Sequence, residues 1–272
     1  MLIGMISDLH VDINKDYPVV DRLSELVRES GVEVLLIAGD ISDSAELTLQ
    51  TLNMLEQATG SRIYFVPGNH DMWDKPGTTP GELRTQEIYE NYKKSKYCIS
   101  EKAVLLNGDW VLIGNIGWYD YSFGNGFSKE MYQMMQYGER IWHDRLFSKW
   151  SRENEKTHRW QLETLRQAVQ PYRDKHKILM THMVSHEAFT VPADWSETVN
   201  WSYFNAFLGT KDYRRFCTEE QIDYALMGHV HYRGERKDGA TTYVCSCLNY
   251  SREWKSTDFL KELALSLRVI MI

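Results

Sequence analysis

The chain has 272 residues, 43% of them hydrophobic and 25% charged, which suits one large or two small globular α/β units and argues against disorder. Lys and Arg total 31 against 38 Asp and Glu, and the net charge of −7 lacks the general basic footprint of a nucleic-acid binder. Polar residues interrupt every apolar run before the roughly 20 residues of a membrane span, and the start Met1-Leu2-Ile3-Gly4-Met5-Ile6-Ser7-Asp8 has no basic segment to suggest a signal peptide.

Leu2 to Ser7 reads as a first core strand, followed by Asp8-Leu9-His10. Val19, Val20, Leu23, Leu26 and Val27 recur at helical spacing up to Gly31. Val34 to Ala38 is a continuous apolar run, expected of a strand buried on both faces, and it ends in Gly39-Asp40. A helix is expected from about Ser44 to Ala58, closed by Gly60. The strand Arg62-Ile63-Tyr64-Phe65 then runs into Val66-Pro67-Gly68-Asn69-His70-Asp71, where Pro and Gly break it. Strand, polar loop and helix alternate here, which predicts a mainly parallel sheet with the polar loops gathered at its carboxyl edge.

Residues 80–94 read as an exposed helix. Val104-Leu105-Leu106 and Val111-Leu112-Ile113, joined by Asn107-Gly108-Asp109, read as a hairpin. Residues 117–152 are rich in aromatics and charges without clean periodicity, and are expected to form a cap with its own small core or a lid over a cleft. A helix over 153–170 precedes the strand Lys177 to Thr181, which ends in His182. An irregular stretch runs to about residue 199, and 200–216 look helical. Asp223 to Met227 is a strand ending in Gly228-His229-Val230-His231. Thr241 to Cys247 and Leu263 to Ile272 alternate as two further strands. Cys245 and Cys247 fall on one strand face. The four cysteines read as buried free thiols, which points to the cytoplasm. With no repeat or linker in sight, residues 1–272 read as one domain with an embedded cap.

Five loops carry polar clusters directly after strands: Asp8/His10, Asp40, Asn69/His70/Asp71, His182 and His229/His231. Five of the nine histidines lie in them. Carboxylates and neutral imidazoles suit first-row divalent metals. Asp-x-His and His-x-His, if extended, place both side chains on one side of the backbone. Seven potential ligands exceed one tetrahedral site and suit a pair of metals.

The ordered set Asp8-x-His10, Gly39-Asp40, Gly68-Asn69-His70-Asp71, His182, Gly228-His229-x-His231 resembles the calcineurin-like metallophosphoesterase superfamily, and spans about four fifths of the chain. The resemblance implies an α/β/β/α sandwich of two mixed sheets. It implies Asp8, His10 and His231 as ligands of one divalent ion, Asn69, His182 and His229 as ligands of a second, and Asp40 as a bridge. It implies His70 as a catalytic histidine kept off the metals and Asp71 as the acid that orients it.

The chemistry fits this assignment. Two divalent ions would clamp the phosphoryl oxygens and acidify the water between them, and that hydroxide would attack phosphorus. An imidazolium at His70 would stabilise the transition state or protonate the leaving oxygen. Manganese is the favoured metal, with iron, zinc and cobalt also compatible. The expected substrate is a small phosphorylated molecule, a nucleotide or other phosphodiester before a monoester, with no membrane partner. A non-catalytic scaffold of the same fold is the competing class, and among enzymes a nuclease or a protein phosphatase. A scaffold is expected to lose a ligand or the His70 equivalent, and neither is missing. Trp73, Trp118 and Tyr119 are candidate stacking contacts for the substrate. His143, His158, His176 and His186 are expected at the surface or in the core, with His186 the one that could line the cleft.

Overall fold

In a computed structural model that describes residues 1–75 and 84–272, the first third of the chain follows the expected alternation. β1 (Leu2–Ile6), α1 (Val19–Glu29), β2 (Val34–Ala38), α2 (Ala45–Thr59) and β3 (Arg62–Val66) form two parallel crossovers. All five residues of β2 are buried. Each of its Leu and Ile side chains contributes about 1.5–3 kcal/mol by leaving water. The Ser44 side chain caps α2 by accepting from the Leu47 amide, and Gly60 ends it with a left-handed φ of 71°.

The chain continues through α3 (Thr85–Lys94), the hairpin β4 (Lys102–Leu105) and β5 (Trp110–Asn115), α4 (Lys129–Gln133), the short hairpin β6 (Gln136–Tyr137) and β7 (Arg140–Ile141), and α5 (Asp144–Phe147). It then forms α6 (Asn154–Val169), β8 (His176–Thr181), α7 (Trp201–Phe204), α8 (Lys211–Glu219), β9 (Tyr224–Met227), β10 (Arg233–Asp238), β11 (Thr241–Ser246), α9 (Phe259–Ser266) and β12 (Arg268–Met271). One sheet has the order β12-β1-β2-β3 and the other β10-β11-β9-β8-β5-β4. Both are mixed: β12 runs antiparallel to β1, and β4 and β10 run antiparallel to their neighbours.

The sheets pack face to face through Ile3, Met5, Leu36 and Val66 on one side and Leu112, Ile178, Met180 and Leu226 on the other. Leu23, Val27, Leu52 and Leu55 cover the outer face of the first sheet, and Leu162, Leu165 and Phe216 that of the second. This is the expected four-layer α/β/β/α sandwich. The aromatics of the cap segment, including Tyr121 and Tyr132, pack with Tyr203 and Phe207.

Several element expectations need correction. Of the helix expected over 80–94, residues 80–83 lie outside the described residues, and the remainder buries Ile88, Tyr89 and Tyr92. The helix expected over 200–216 is broken between Phe207 and Lys211, where the backbone at Gly209 pairs with Val184 and a side chain would strike the Val184 backbone. The strand expected over Leu263–Ile272 starts as a helix, capped by Asp258, with Phe259, Glu262, Leu263 and Ser266 buried at helical spacing. β10, whose sequence is Arg-Gly-Glu-Arg-Lys-Asp, carries no apolar alternation and is held as an edge strand by its pairing with β11.

Candidate metal centre

The polar loops of both sheets meet at one edge. Gly39 and Gly68 bring two of them into backbone contact: Gly39 has φ 80°, and a Cβ there would lie 2.5 Å from the Gly68 amide nitrogen. The ligands themselves sit on bent backbone. Asp8, His10, Asp40, His229 and His231 all have positive φ, between 43° and 74°. Non-glycine residues held there cost on the order of 1–3 kcal/mol each and cluster at functional sites. The paired side chains of Asp8-x-His10 and His229-x-His231 therefore converge through left-handed turns, and the extended alternation inferred from the sequence does not apply.

Two groups of donor atoms result, one from Asp8, His10, Asp40 and His231 and one from Asp40, His182 and His229, with Asp40 common to both. His10 Nε2 and His231 Nε2 face each other at 3.2 Å, as do His182 Nε2 and His229 Nδ1. Asn69 Oδ1 joins the second group 3.0 Å from His182 Nε2. Asp40 Oδ2 is buried, has no hydrogen-bond partner among the described residues, and lies 3.3 Å from His182 Nε2. Facing nitrogens around an unpartnered buried carboxylate oxygen are a donor set suited to divalent cations.

The surrounding residues fix which nitrogen faces inward. His182 Nδ1 donates to the Ala38 carbonyl at 2.8 Å, His229 Nε2 to the Phe207 carbonyl at 3.2 Å, and His231 Nδ1 to Glu253 Oε2 at 2.8 Å. Burial and the neighbouring histidines hold His10 and His229 well below the ordinary imidazole range, in the neutral form that binds metal. At His182 burial acts in the same direction, but the Asp40 carboxylate outweighs it and raises the group to about 10.

His70 stands beside these groups, with Nε2 4.0 Å from Asp40 Oδ2. Burial disfavours its charge, but Asp40 and Asp43 more than offset this and raise its pKa. Its partner is Asp43: His70 Nδ1 donates to Asp43 Oδ1 at 2.6 Å, and Lys75 pairs with the other oxygen. The expectation that Asp71 orients His70 is thus corrected. His70, Asp71 and Met72 form one 3₁₀ turn, which sends consecutive side chains in different directions. Asp71 points into the protein. Its Oδ2 accepts from the Asp40 and Gly68 amides, both at 2.7 Å, and its Oδ1 from the Ile41 and Ser42 amides and the Thr48 hydroxyl at 3.0, 3.2 and 2.8 Å. It ties the Asp40 loop to the Asn69 loop.

The three aromatic candidates also separate. Trp73 lines the site, its ring 3.6 Å from that of His70. Trp118 and Tyr119 are fully buried, stacked on each other at 4.7 Å, and do not reach the cleft as proposed substrate contacts. Trp118 Nε1 is held by Asn154 at 2.8 Å. Their place directly after β5 suggests a surface edge, but Trp150 packs on Trp118 and Phe207 on Tyr119. His186 lies in an ion network with Asp238, Glu187 and Arg214. Of the four remaining histidines, His143 is the one beside the His70 wall, 6.0 Å from the Trp73 ring.

Sequence reasoning missed Asp43 and Asp144. Asp43 lies three residues beyond Asp40 in the same loop, a position that a search of that loop for a second carboxylate would have found. Asp144 comes from the start of α5 and is buried. Its Oδ1 accepts from Asn69 Nδ2 at 2.9 Å, Trp73 Nε1 at 2.7 Å and Ser148 Oγ at 3.2 Å, and its Oδ2 from Trp142 Nε1 at 2.9 Å and Tyr119 hydroxyl at 3.3 Å. By holding the Asn69 amide nitrogen, it turns Asn69 Oδ1 toward the donor cluster. Only the tertiary structure could connect these residues.

The layered sheets and the two ligand groups sharing a carboxylate define a metal-dependent phosphoesterase. A family model described as calcineurin-like phosphoesterase matches residues 1–233, and the chain belongs to that family. Its metal centre is accordingly divalent and dinuclear. No curated protein matches the chain by sequence. Among solved structures, the chain is similar to phosphopantetheinyl hydrolase from Mycobacterium tuberculosis, with a TM-score of 0.77 at 17% identity over 99% of this chain and 95% of that one. It is also similar to TT1561 of Thermus thermophilus, with a TM-score of 0.55 at 13% identity over 98% of this chain and 97% of that one. At these identities the likeness is one of fold.

Proposed function

We propose that the protein hydrolyses small phosphodiesters, with His70 as the general acid or transition-state stabiliser. The observation that carries this reading is the arrangement of His70: its Nδ1 is bonded to Asp43, and its Nε2 faces the same gap as Asp40 Oδ2. Asp8, His10, Asp40 and His231 would hold one divalent cation, and Asp40, Asn69, His182 and His229 the other. The cations would supply charge neutralisation for the phosphoryl oxygens and a more acidic water. Asp43 keeps the Nδ1 proton of His70 in place, so Nε2 delivers its proton to the oxygen that leaves phosphorus. Trp73 packs against the ring at a tilt of 34° and limits its rotation.

A diester fits better than a monoester dianion because Arg233, the arginine nearest the metal loops in sequence, is paired with Glu262. Lys75 is paired with Asp43. The Asp71 carboxylate, assigned to catalysis from the sequence, acts in this reading as a structural tie. Manganese is our first choice of metal on the nitrogen and oxygen donor set. The four buried free cysteines favour the cytoplasm, and no helix among the described residues is long and apolar enough to cross a membrane.

The test is steady-state hydrolysis of bis-p-nitrophenyl phosphate against p-nitrophenyl phosphate, with about two manganese ions per chain confirmed by elemental analysis. Nucleotide diesters and the phosphopantetheinyl group named for the mycobacterial relative are natural substrates to assay beside them. A higher kcat/KM on the monoester would refute the diester preference. Full metal loading without turnover on either would refute the enzyme reading. His70→Ala is expected to lose turnover and keep both metals.

A further inference from the structure

The segment after β11 lies beyond the residues matched by the family model, yet it reaches the metal centre. The chain leaves β11 along the first metal loop, with the Leu248 amide donating to the Ser7 carbonyl at 3.0 Å and the Asn249 amide to the Asp8 carbonyl at 3.1 Å. Asn249 then turns in the left-handed region, with φ 74°. This turn sets the Tyr250 ring 4.5 Å from the His10 ring and 4.4 Å from the His231 ring. The Tyr250 hydroxyl stands 3.4 Å from His70 Nε2.

The placement is built, not incidental to a loose loop. Asn14 is buried, and its Nδ2 donates to the carbonyls of Leu9 and Asn249, both at 2.9 Å, while its Oδ1 accepts from the Ser251 amide at 2.8 Å. One side-chain amide therefore clamps both flanks of Tyr250 to the loop that carries Asp8 and His10. Trp254 Nε1 closes the segment by donating to the Leu248 carbonyl at 2.8 Å. The Arg252 guanidinium covers the Tyr250 ring at 4.6 Å.

A tyrosine that served only to satisfy His70 would make a short bond to it. The contact is instead long beside the 2.6 Å bond of His70 to Asp43. Two proton donors thus converge on one gap next to Asp40 Oδ2. We propose that Tyr250 is a second catalytic donor, whose hydroxyl binds an oxygen of the same phosphoryl group that His70 serves; this rests on the phosphoesterase reading given above. In the step, the oxygen of a water that has released one proton to solvent bonds to phosphorus as the phosphorus–oxygen bond to the leaving group breaks, and the second water proton stays on the product phosphate. The leaving oxygen takes the proton of His70 Nε2. Tyr250 keeps its proton throughout and contributes a hydrogen bond that tightens as charge builds on the phosphoryl oxygens.

The experiment is Tyr250→Phe in the full chain loaded with manganese, read by metal content, thermal melting, bis-p-nitrophenyl phosphate turnover and calorimetric binding of inorganic phosphate. The expected result is a kcat lower by on the order of 100-fold. Two metals and the wild-type melting temperature are retained, and phosphate binding is weakened. Asn14→Asp, which keeps the carbonyl-side oxygen but loses the Nδ2 donor, is expected to lower kcat in the same direction and to add little to Tyr250→Phe in the double variant. Wild-type kcat and phosphate affinity in Tyr250→Phe would overturn the proposal, as would loss of metal. If the wild-type protein turns over neither ester, the phosphoesterase reading and with it the catalytic role of Tyr250 fail, whereas unchanged phosphate affinity in Tyr250→Phe of an active protein overturns the phosphoryl contact alone.

Discussion

Replacing Asp43 and Asp71 in turn by Asn separates catalysis from architecture, because the two carboxylates are chemically equal and lie on either side of the same loop contact. Asp71 accepts five hydrogen bonds. In Asp71→Asn the better amide orientation keeps its oxygen toward Ile41, Ser42 and Thr48, and sets its NH2 against the amides of Asp40 and Gly68. Two buried donors lose their acceptor, at about 1–3 kcal/mol each. The expected destabilisation is thus about 2–6 kcal/mol, a large part of the ~5–15 kcal/mol that typically holds a domain folded. Asp43 has one imidazole and one ammonium to serve. Asp43→Asn keeps an acceptor for His70 but loses the charge, worth about 1.5 kcal/mol between charged and neutral bonds. That corresponds to roughly a 10-fold lower kcat. Stability is expected to change by less than about 1 kcal/mol. Urea unfolding is run with metal chelated, so that metal linkage does not mask the difference, and kcat is measured with manganese restored. An Asp71→Asn protein with a wild-type unfolding midpoint and a selectively lost kcat, beside an Asp43→Asn protein with wild-type kcat, would refute the assignment.

Other substitutions probe the remaining contacts. Asp144→Ala removes the acceptor that turns Asn69, and is expected to weaken one of the two metal sites by about 10- to 100-fold in a competition titration with a chromogenic chelator; wild-type affinity at both sites would remove Asp144 from the centre. Tyr119→Phe deletes a buried hydroxyl bonded to Asp144, and is expected to cost about 1 kcal/mol in urea unfolding while KM for bis-p-nitrophenyl phosphate stays unchanged. A several-fold rise in KM would restore Tyr119 as a substrate contact. Leu36→Ala, in the fully buried β2 between the sheets, is expected to destabilise the protein by about 2–5 kcal/mol in the same assay. Chelation with EDTA is expected to abolish turnover and added manganese to restore it.

The local signals in the sequence were enough to place the centre. Buried strands announce themselves by unbroken apolar runs such as Val34 to Ala38, and the polar residues directly after them mark the carboxyl edge, because the strand direction is fixed by the crossover helices. Tyr250 follows β11 four residues after its end, and a tyrosine after a strand is a far less specific sign than His-x-His. The aromatic richness of residues 117–152 is visible in their composition, but their contacts could not be read, since the aromatic residues obey no period and choose partners across the chain.

What the sequence determined by itself was the alternation of strand, polar loop and helix in the first third of the chain and the family, since these depend on residue type and near-neighbour pattern. What only the tertiary structure decided was which acid serves which group. Asp71 is adjacent to His70 in sequence but turned away by a 3₁₀ turn, whereas Asp43, 27 residues distant, meets it at 2.6 Å. The direction of a side chain in a tight turn is set by backbone angles, and the partner it meets by the packing of two sheets. Neither is written in the residue's immediate neighbours. The same reasoning brings Asp144 from α5 to Asn69 and Tyr250 from the last third of the chain to His70.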